Sequence, residues 1–380
     1  MIPYGRQDIS EDDIAAVVAV LRSDFLTQGP VVPDFEAAVA RVAGAAHAVA
    51  ANSATSALHI ACLALGLGPG DLLWTVPNTF VASANVGLYC GADVDFVDIT
   101  PDTWTMCPDR LEEKLALAAR AGRLPKVIIP VAFAGQSAGM ARISALARAH
   151  GVKVIEDASH AIGATYQRGP VGDGRFADIT VFSFHPVKIV TTAEGGVAVT
   201  QDAELAYRMG LFRSHGITRD PARMVPGEAA PWVYQQLELG YNYRMTEMQA
   251  ALGLSQMSRV DAFVARRQAL AARYAAGLAG LPLVLPAQDP EGHSALHLFP
   301  VLVDNRAQVF GALRTGGIGV NVHYIPVHTQ PFWQARGHAP GDFPVSENYF
   351  ARAISLPLYA GLSDSDQDLV ARVLTQALTG

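Results

Sequence analysis

Lys188 follows Ser183-Phe184-His185-Pro186-Val187, and Thr191-Thr192-Ala193-Glu194-Gly195-Gly196 comes shortly after it. It is one of only four lysines in 380 residues, against 24 arginines. Lys114 falls in a charged helical stretch, and Lys126 and Lys153 stand at the edges of apolar runs. Lys188 instead occupies a loop of turn and hydroxyl residues directly after a buried strand. An amine withdrawn from water has its pKa lowered and can attack carbonyl groups. The ordinary alternative is a surface lysine with a snorkelling stem. Its neighbours favour the chemical role.

Three other segments carry chemistry of their own. Asn52-Ser53-Ala54-Thr55-Ser56-Ala57-Leu58 reads as a strand-to-helix turn. Its backbone N–H groups and helix dipole suit a phosphate, although the motif alone also fits a plain N-cap. In Pro77-Asn78-Thr79-Phe80-Val81-Ala82-Ser83-Ala84-Asn85, Phe80 at a helix mouth can stack on a flat ring or lie in the core. Val154-Ile155-Glu156-Asp157-Ala158-Ser159-His160-Ala161 runs a buried strand into adjacent acids, which need partners. Asp157 can hold a protonated ring nitrogen or cap a helix. Lysine, preceding acid, helix-end anion site and aromatic plate are the parts a pyridoxal phosphate enzyme requires. The lysine forms the Schiff base, and the acid keeps the pyridine nitrogen protonated so that the ring acts as an electron sink.

These residues need a scaffold, and the periodicity supplies one. Strand-like runs at 46–51, 72–76, 94–97, 127–133 and 152–156 alternate with helical patterns at 54–65, 80–89, 109–121 and 137–150. Further strands at 179–184 and 196–200 lie close together, so at least one antiparallel pair is expected. The alternation predicts an α/β domain with a mixed, mostly parallel sheet. Open sheets of this kind bind ligands at strand ends, where all four segments fall. Ser10-Glu11-Asp12-Asp13 predicts a capped helix reaching Leu21. Residues 245–279 read as one long helix. Beyond it, short strands at 296–303, 319–323 and 354–356 mix with helices at 308–315 and 364–378, a smaller α+β domain. The division is expected near residue 255: a large domain over 1–254 with an N-terminal arm, and a small one over 255–380.

The same motifs, together with Leu26-Thr27-Gln28-Gly29-Pro30, Gly240-Tyr241-Asn242-Tyr243-Arg244-Met245-Thr246-Glu247 and Val322-His323-Tyr324-Ile325-Pro326-Val327-His328, closely resemble the DegT/StrS sugar-nucleotide aminotransferases. These belong to the fold-type I pyridoxal phosphate enzymes, and the resemblance runs over essentially the whole chain. It implies that Lys188 is the Schiff-base lysine, that Asp157 pairs with the pyridine nitrogen and that Phe80 stacks on the ring. His160 is implied to sit near the ring oxygen, where many relatives carry glutamine. Ala54, Thr55 and Ser183 are implied to hold the phosphate. Asn242 is implied to reach that phosphate from the neighbouring subunit of a homodimer. Tyr4, Phe25, Leu26, Thr27, Arg213, His323 and Tyr324 are implied to line the sugar-nucleotide site. The family proline after the lysine is replaced by Ile189.

The opening Ile2-Pro3-Tyr4-Gly5-Arg6-Gln7, the Phe212-Arg213-Ser214-His215-Gly216 stretch and His323-Tyr324 look most like one branch. That branch aminates C4 of a UDP-linked 4-keto-6-deoxy-N-acetylhexosamine on the route to pseudaminic acid, with L-glutamate as donor and 2-oxoglutarate as co-product. A diphosphate substrate needs cations, and with lysine scarce the candidates are Arg6, Arg213, Arg219 and Arg244. Sugar dehydratases of the same fold resemble this chain but carry histidine in place of the lysine, so Lys188 argues against them. A non-catalytic regulator would need a DNA-reading element. The net charge of −7 and the lack of a basic block argue against nucleic acid. No signal region or apolar run of membrane-spanning length is visible. Cys62, Cys90 and Cys107 and the scattered histidines show no metal spacing and read as a reduced, cytoplasmic protein.

Overall fold

The computed structural model describes residues 1–227 and 230–379. Its centre is a seven-stranded sheet. The first five strands are β1 (His47–Ala51), β2 (Leu72–Thr75), β3 (Asp93–Phe96), β4 (Val127–Ile129) and β5 (Lys153–Asp157). A two-residue hairpin, β6 (Thr165–Tyr166) and β7 (Gly169–Pro170), intervenes before β8 (Ile179–Ser183) and β9 (Gly196–Thr200) complete the sheet. The spatial order is β1-β9-β8-β5-β4-β2-β3. β9 pairs antiparallel with both β8 and β1, and every other pairing is parallel. The expected mixed, mostly parallel sheet is therefore observed.

Both faces of this sheet are covered, so its strands read as nearly continuous apolar runs. Alternate residues serve opposite faces. Ile128, Val154, Phe182, Val197 and Val199 pack into one core. Val127, Ile129, Ile155, Val181 and Ala198 pack into the other. The first core is closed by α2 (Val31–Ala43) and the second by α3 (Ala54–Ala64) and α4 (Ala82–Tyr89), while α1 (Glu11–Leu21) packs against the helix Glu247–Met257. On the first face lie also α5 (Pro108–Ala121) and α6 (Met140–Ala149), and on the second α7 (Ala203–Arg213). Ser10 caps α1 as expected: its hydroxyl accepts from the Asp13 N–H and Asp13 accepts from the Ser10 N–H.

The segment read as one helix over 245–279 is two, α8 (Glu247–Met257) and α9 (Val260–Gly277). The break falls at Arg259, whose guanidinium pairs with Asp8 at 3.0 Å and with the buried Asp13 at 2.6 Å. Residue 255, the expected domain division, lies inside α8. β10 (Ile217–Thr218) and β11 (Gln235–Gln236) form a ladder before α8, and β12 (Gly292–His293) extends the β6–β7 hairpin. A third core gathers Leu270 and Tyr274 of α9 with β13 (Phe299–Leu302), α10 (Arg306–Thr315), β14 (Ala353–Leu356) and the helix Asp364–Thr379. β13 and β14 pair antiparallel. The strand expected over 319–323 is not formed: only an isolated bridge joins Asn321 to Ser355. The strand expected over 127–133 stops at Ile129, because Pro130 has no N–H to continue the ladder.

Candidate active site

β1, β2, β5 and β8 all run in the same direction, so their carboxyl ends share one edge of the sheet. The four segments singled out above leave from those ends. They converge on a cavity of about 880 Å³ lined by Thr55, Phe80, Asp157, His160, Ser183 and Lys188 among others. Tyr4 enters from the N-terminal arm, and His323 and Tyr324 enter from the C-terminal part of the chain.

Lys188 is held by the tight return of the loop after β8. Its N–H donates to the His185 carbonyl, and the Thr192 N–H donates back to the Phe184 carbonyl, both at 2.9 Å. Burial lowers the Lys188 ammonium to about 7, against a smaller upward pull from the Asp157 charge. The amine is thus partly neutral near pH 7 and open to carbonyl chemistry.

Asp157 ends β5 and is 5% exposed. One oxygen accepts from the Ser83 hydroxyl at 2.6 Å and the other from the Ser159 N–H at 3.1 Å. The second bond is a local turn and no helix follows, so the capping alternative is not realised. Neither partner is a cation, which leaves the carboxylate suited to a positively charged N–H. Ser83 accepts in turn from the Thr79 hydroxyl, the two oxygens lying 2.9 Å apart.

Phe80 precedes α4 and is 60% exposed, so it is a plate at the cavity wall and not a core side chain. Ser53 caps α3 by accepting from the Ser56 N–H at 3.1 Å, leaving Ala54 and Thr55 in the first turn facing the cavity. Gly196 is pressed against the Ala54 backbone, where any Cβ would collide. This close approach brings the α3 N-terminus beside Ser183, which pairs with Gly196 across β8 and β9. An anion-binding helix end, a nucleophilic lysine, an acid without a cation and an exposed aromatic plate fit pyridoxal phosphate.

Also lining the cavity, His160 accepts at Nδ1 from the Ala134 N–H at 3.2 Å, and its Nε2 lies 3.1 Å from the Tyr324 hydroxyl. Burial, with Lys188 and His323 nearby, drives the His160 imidazole well below its ordinary pKa. His323 is lowered to about 4 by burial and then by Lys188. Its Nδ1 lies 2.8 Å from the Ser355 hydroxyl. The Tyr324 phenol is raised, chiefly by burial and then by the Asp157 charge.

Other expected residues lie outside this cavity. Asn242 is exposed and bridges to Ser214. Phe25 and Leu26 are exposed, and Thr27 bridges to Thr246. Arg213 does not line the cavity of the single chain: its Nη1 donates to Glu36 at 2.6 Å and to the Ala50 carbonyl at 3.0 Å, tying α7 to α2 and β1. Arg219 lies 5.8 Å from the Tyr234 ring, Arg244 donates to the Ser214 hydroxyl at 3.2 Å, and Arg6 is exposed. Among the described residues, no arginine lines the cavity of a single chain.

Two cavity residues were not singled out from sequence. Ser83 was visible only as part of its motif. His297 is 4% exposed, with its ring 4.4 Å from that of His160 and its Nδ1 unpartnered. Its one signal is a polar residue inside the apolar run Ala295-Leu296-His297-Leu298-Phe299. Among the described residues, no group of histidine, cysteine and acid side chains could hold a metal ion, and no helix is long and apolar enough to cross a membrane.

The chain is similar to known proteins over nearly its whole length. Spore coat polysaccharide biosynthesis protein SpsC of Bacillus subtilis (strain 168) is 38% identical over 388 aligned residues, covering 100% of this chain and 97% of that protein. Spr1654 of Streptococcus pneumoniae, described as a candidate sugar aminotransferase, superposes in its PLP form with a TM-score of 0.90 at 30% identity, covering 99% of this chain and 98% of that one. Helicobacter pylori PseC, described as an aminotransferase of pseudaminic acid biosynthesis, superposes with a TM-score of 0.91 at 31% identity over 99% of both chains. The DegT/DnrJ/EryC1/StrS aminotransferase model matches residues 7–375. With its fold-type I architecture and a cavity fitted to pyridoxal phosphate, the chain is a sugar aminotransferase that uses this cofactor and belongs to the DegT/DnrJ/EryC1/StrS family.

Proposed function

We propose that the protein transfers the amino group of L-glutamate to C4 of a UDP-linked 4-keto-6-deoxy-N-acetylhexosamine, in the cytoplasm and on the way to pseudaminic acid. The observation that carries the reading is that one cavity gathers Lys188 and Asp157 together with Tyr4, His323 and Tyr324. The likeness to PseC supports the sugar. Bound pyridoxal phosphate supplies an electron sink for the charge left when a carbon–hydrogen bond is broken. The chain's residues do the rest. Asp157 holds the ring nitrogen protonated, Phe80 covers the ring face, and Ala54, Thr55 and Ser183 hold the phosphate. Lys188 carries the cofactor. Its Nζ, free to titrate near pH 7, takes the proton from Cα of glutamate and in the second half-reaction delivers one to C4 of the sugar.

The reading includes a homodimer with shared sites. The Leu26 carbonyl accepts from the Glu247 N–H at 3.0 Å, and Thr27 bridges to Thr246, so residues 25–27 and 242–246 form one surface patch. An apolar hollow of about 510 Å³ lies beside it, lined by Ala19, Val20, Phe25, Ala251 and Leu254. Docked on a second copy, this patch would bring Asn242 to the partner cavity's phosphate and Arg244 toward the substrate diphosphate. The division into domains at residue 255 belongs to the same proposal.

The test is competition between the UDP-linked acetamido keto sugar and a dTDP-linked keto sugar lacking the acetamido group. A site that hydrogen-bonds that group should favour the former in kcat/KM by a factor on the order of 10⁴. Equal or better turnover of the dTDP sugar overturns the substrate assignment. The 38% identity to SpsC, higher than the 31% to PseC, favours a second reading in which another nucleotide-linked keto sugar is aminated. The same competition decides between the two.

A further inference from the structure

Asp157 is held at two levels. Its backbone is fixed beside β4: the Asp157 N–H donates to the Pro130 carbonyl, and the Ala132 N–H donates to the Asp157 carbonyl, both at 2.9 Å. Its carboxylate is fixed from another element. Ser83 stands in the first turn of α4, where a serine commonly bonds back to its own backbone. Here its hydroxyl reaches the acid that ends β5, 74 residues away, at 2.6 Å. That is the length of a hydrogen bond to a charged oxygen. A carboxylate can only accept, so Ser83 gives its one proton to Asp157. The Thr79 hydroxyl, 2.9 Å from the Ser83 oxygen, then donates to Ser83. All three side chains are buried, so this chain of donors runs in one direction where water competes little.

The donors are anchored as firmly as the acid. The Pro77 carbonyl accepts from the Thr79 N–H at 3.1 Å and from the Val327 N–H at 2.9 Å. The Asn78 side chain donates to the Trp104 carbonyl at 3.2 Å and accepts from the Tyr324 N–H at 3.3 Å. Phe80 lies between the two hydroxyl residues in sequence. One short segment therefore carries both the plate for a ring face and the hold on the acid that meets the ring nitrogen. Each hydrogen bond donated to a carboxylate draws off part of its charge, and the oxygen then pulls less on a proton held by a ring nitrogen. A ring nitrogen that keeps its proton is what an electron sink needs. We propose that Ser83, backed by Thr79, is a positioning residue that acts through Asp157, aiming its carboxylate at the cofactor's ring nitrogen and keeping their shared proton on that nitrogen. The inference rests on the pairing of Asp157 with the ring nitrogen, and it is independent of which sugar is aminated.

The test reads the cofactor itself. The enzyme is loaded with pyridoxal phosphate carrying ¹⁵N in its ring, and the ¹⁵N chemical shift reports where the proton lies, whatever the turnover. Wild type should give a pyridinium signal. In Ser83→Ala the signal should move toward that of an unprotonated pyridine, and the half-reaction with L-glutamate should slow roughly tenfold. Ser83→Thr keeps the hydroxyl and should return both. Thr79→Val should move the signal the same way by less. Added to Ser83→Ala it should slow the half-reaction by less than about twofold more, because Thr79 acts only through Ser83. An unmoved signal in Ser83→Ala, or a Thr79→Val effect that adds in full, overturns the proposal. Should Ser83→Ala not fold, an unmoved signal in Thr79→Val overturns it instead. Asp157→Asn separates the premise from the inference. If it leaves the pyridinium signal in place, the pairing of Asp157 with the ring nitrogen fails. If it moves the signal and Ser83→Ala does not, only the role of Ser83 fails.

Discussion

Lys188 is built to be uncomfortable, and that discomfort is measurable without any substrate. Its folded pKa of about 7 lies below the ordinary lysine value, so the unfolded chain binds the extra proton more readily between those pH values. Below pH 7 the full penalty falls on the folded state, and it vanishes as pH rises to the ordinary lysine value. Lys188→Met should therefore stabilise the cofactor-free protein on the order of 4 kcal/mol at pH 7 in urea unfolding, while abolishing transamination. The gain should fade between pH 7 and about 10.5. A gain independent of pH would mean that packing, not charge, is responsible. Lys188, Asp157 and Phe80 were legible because each stands in a local motif whose residue types state the chemistry. Ser83 and His297 were not, because their roles come from neighbours brought close only by folding: Asp157 lies 74 residues from Ser83. The surroundings of Arg213 were hidden for the same reason. An arginine suggests an anion, and its actual anion is Glu36, 177 residues away.

At the scale of elements, strands and helices of the sheet domain followed their periodicity closely, because both layers of helix impose regular burial. α2 escaped the reading since its start has no side-chain cap of its own. Its N-terminal donors are satisfied instead by Glu247, which accepts from the Gly29 N–H at 3.0 Å and the Val31 N–H at 2.7 Å. Glu247 is fully buried, so its removal strands two donors, and a neutral amide recovers only part of the loss. Glu247→Ala should cost about 3 kcal/mol and Glu247→Gln about half that, read by chemical denaturation. If both variants match the wild type, the carboxylate is not the cap of α2. The break at Arg259 was invisible in the same way, since the helical pattern runs through it and Asp8 and Asp13 sit at the other end of the chain.

At the scale of the whole molecule, no arginine among the described residues lines the cavity of one chain, while Asn242 is exposed and Arg244, two residues on, is half-buried. Mixing inactive Lys188→Ala and Asn242→Ala chains should restore activity. Random pairing makes roughly half the dimers hybrid, each with one intact site, so about a quarter of wild-type activity is expected. A verified hybrid dimer with none would exclude sharing. The N-terminal arm carries a different consequence. Ile2 bonds to Gly317 and Gly319, Asp8 and Asp13 bond to Arg259, and Gly29 and Val31 bond to Glu247. These long-range anchors of the first thirty-one residues are thus translated long after them. On a ribosome adding about 5–20 residues per second, the arm waits on the order of 10–60 s for its partners. It emerges before those partners and settles only with them, so a chaperone would meet it as bare, sticky chain. A fusion partner at the amino end would be felt in yield of soluble protein before it was felt in catalysis.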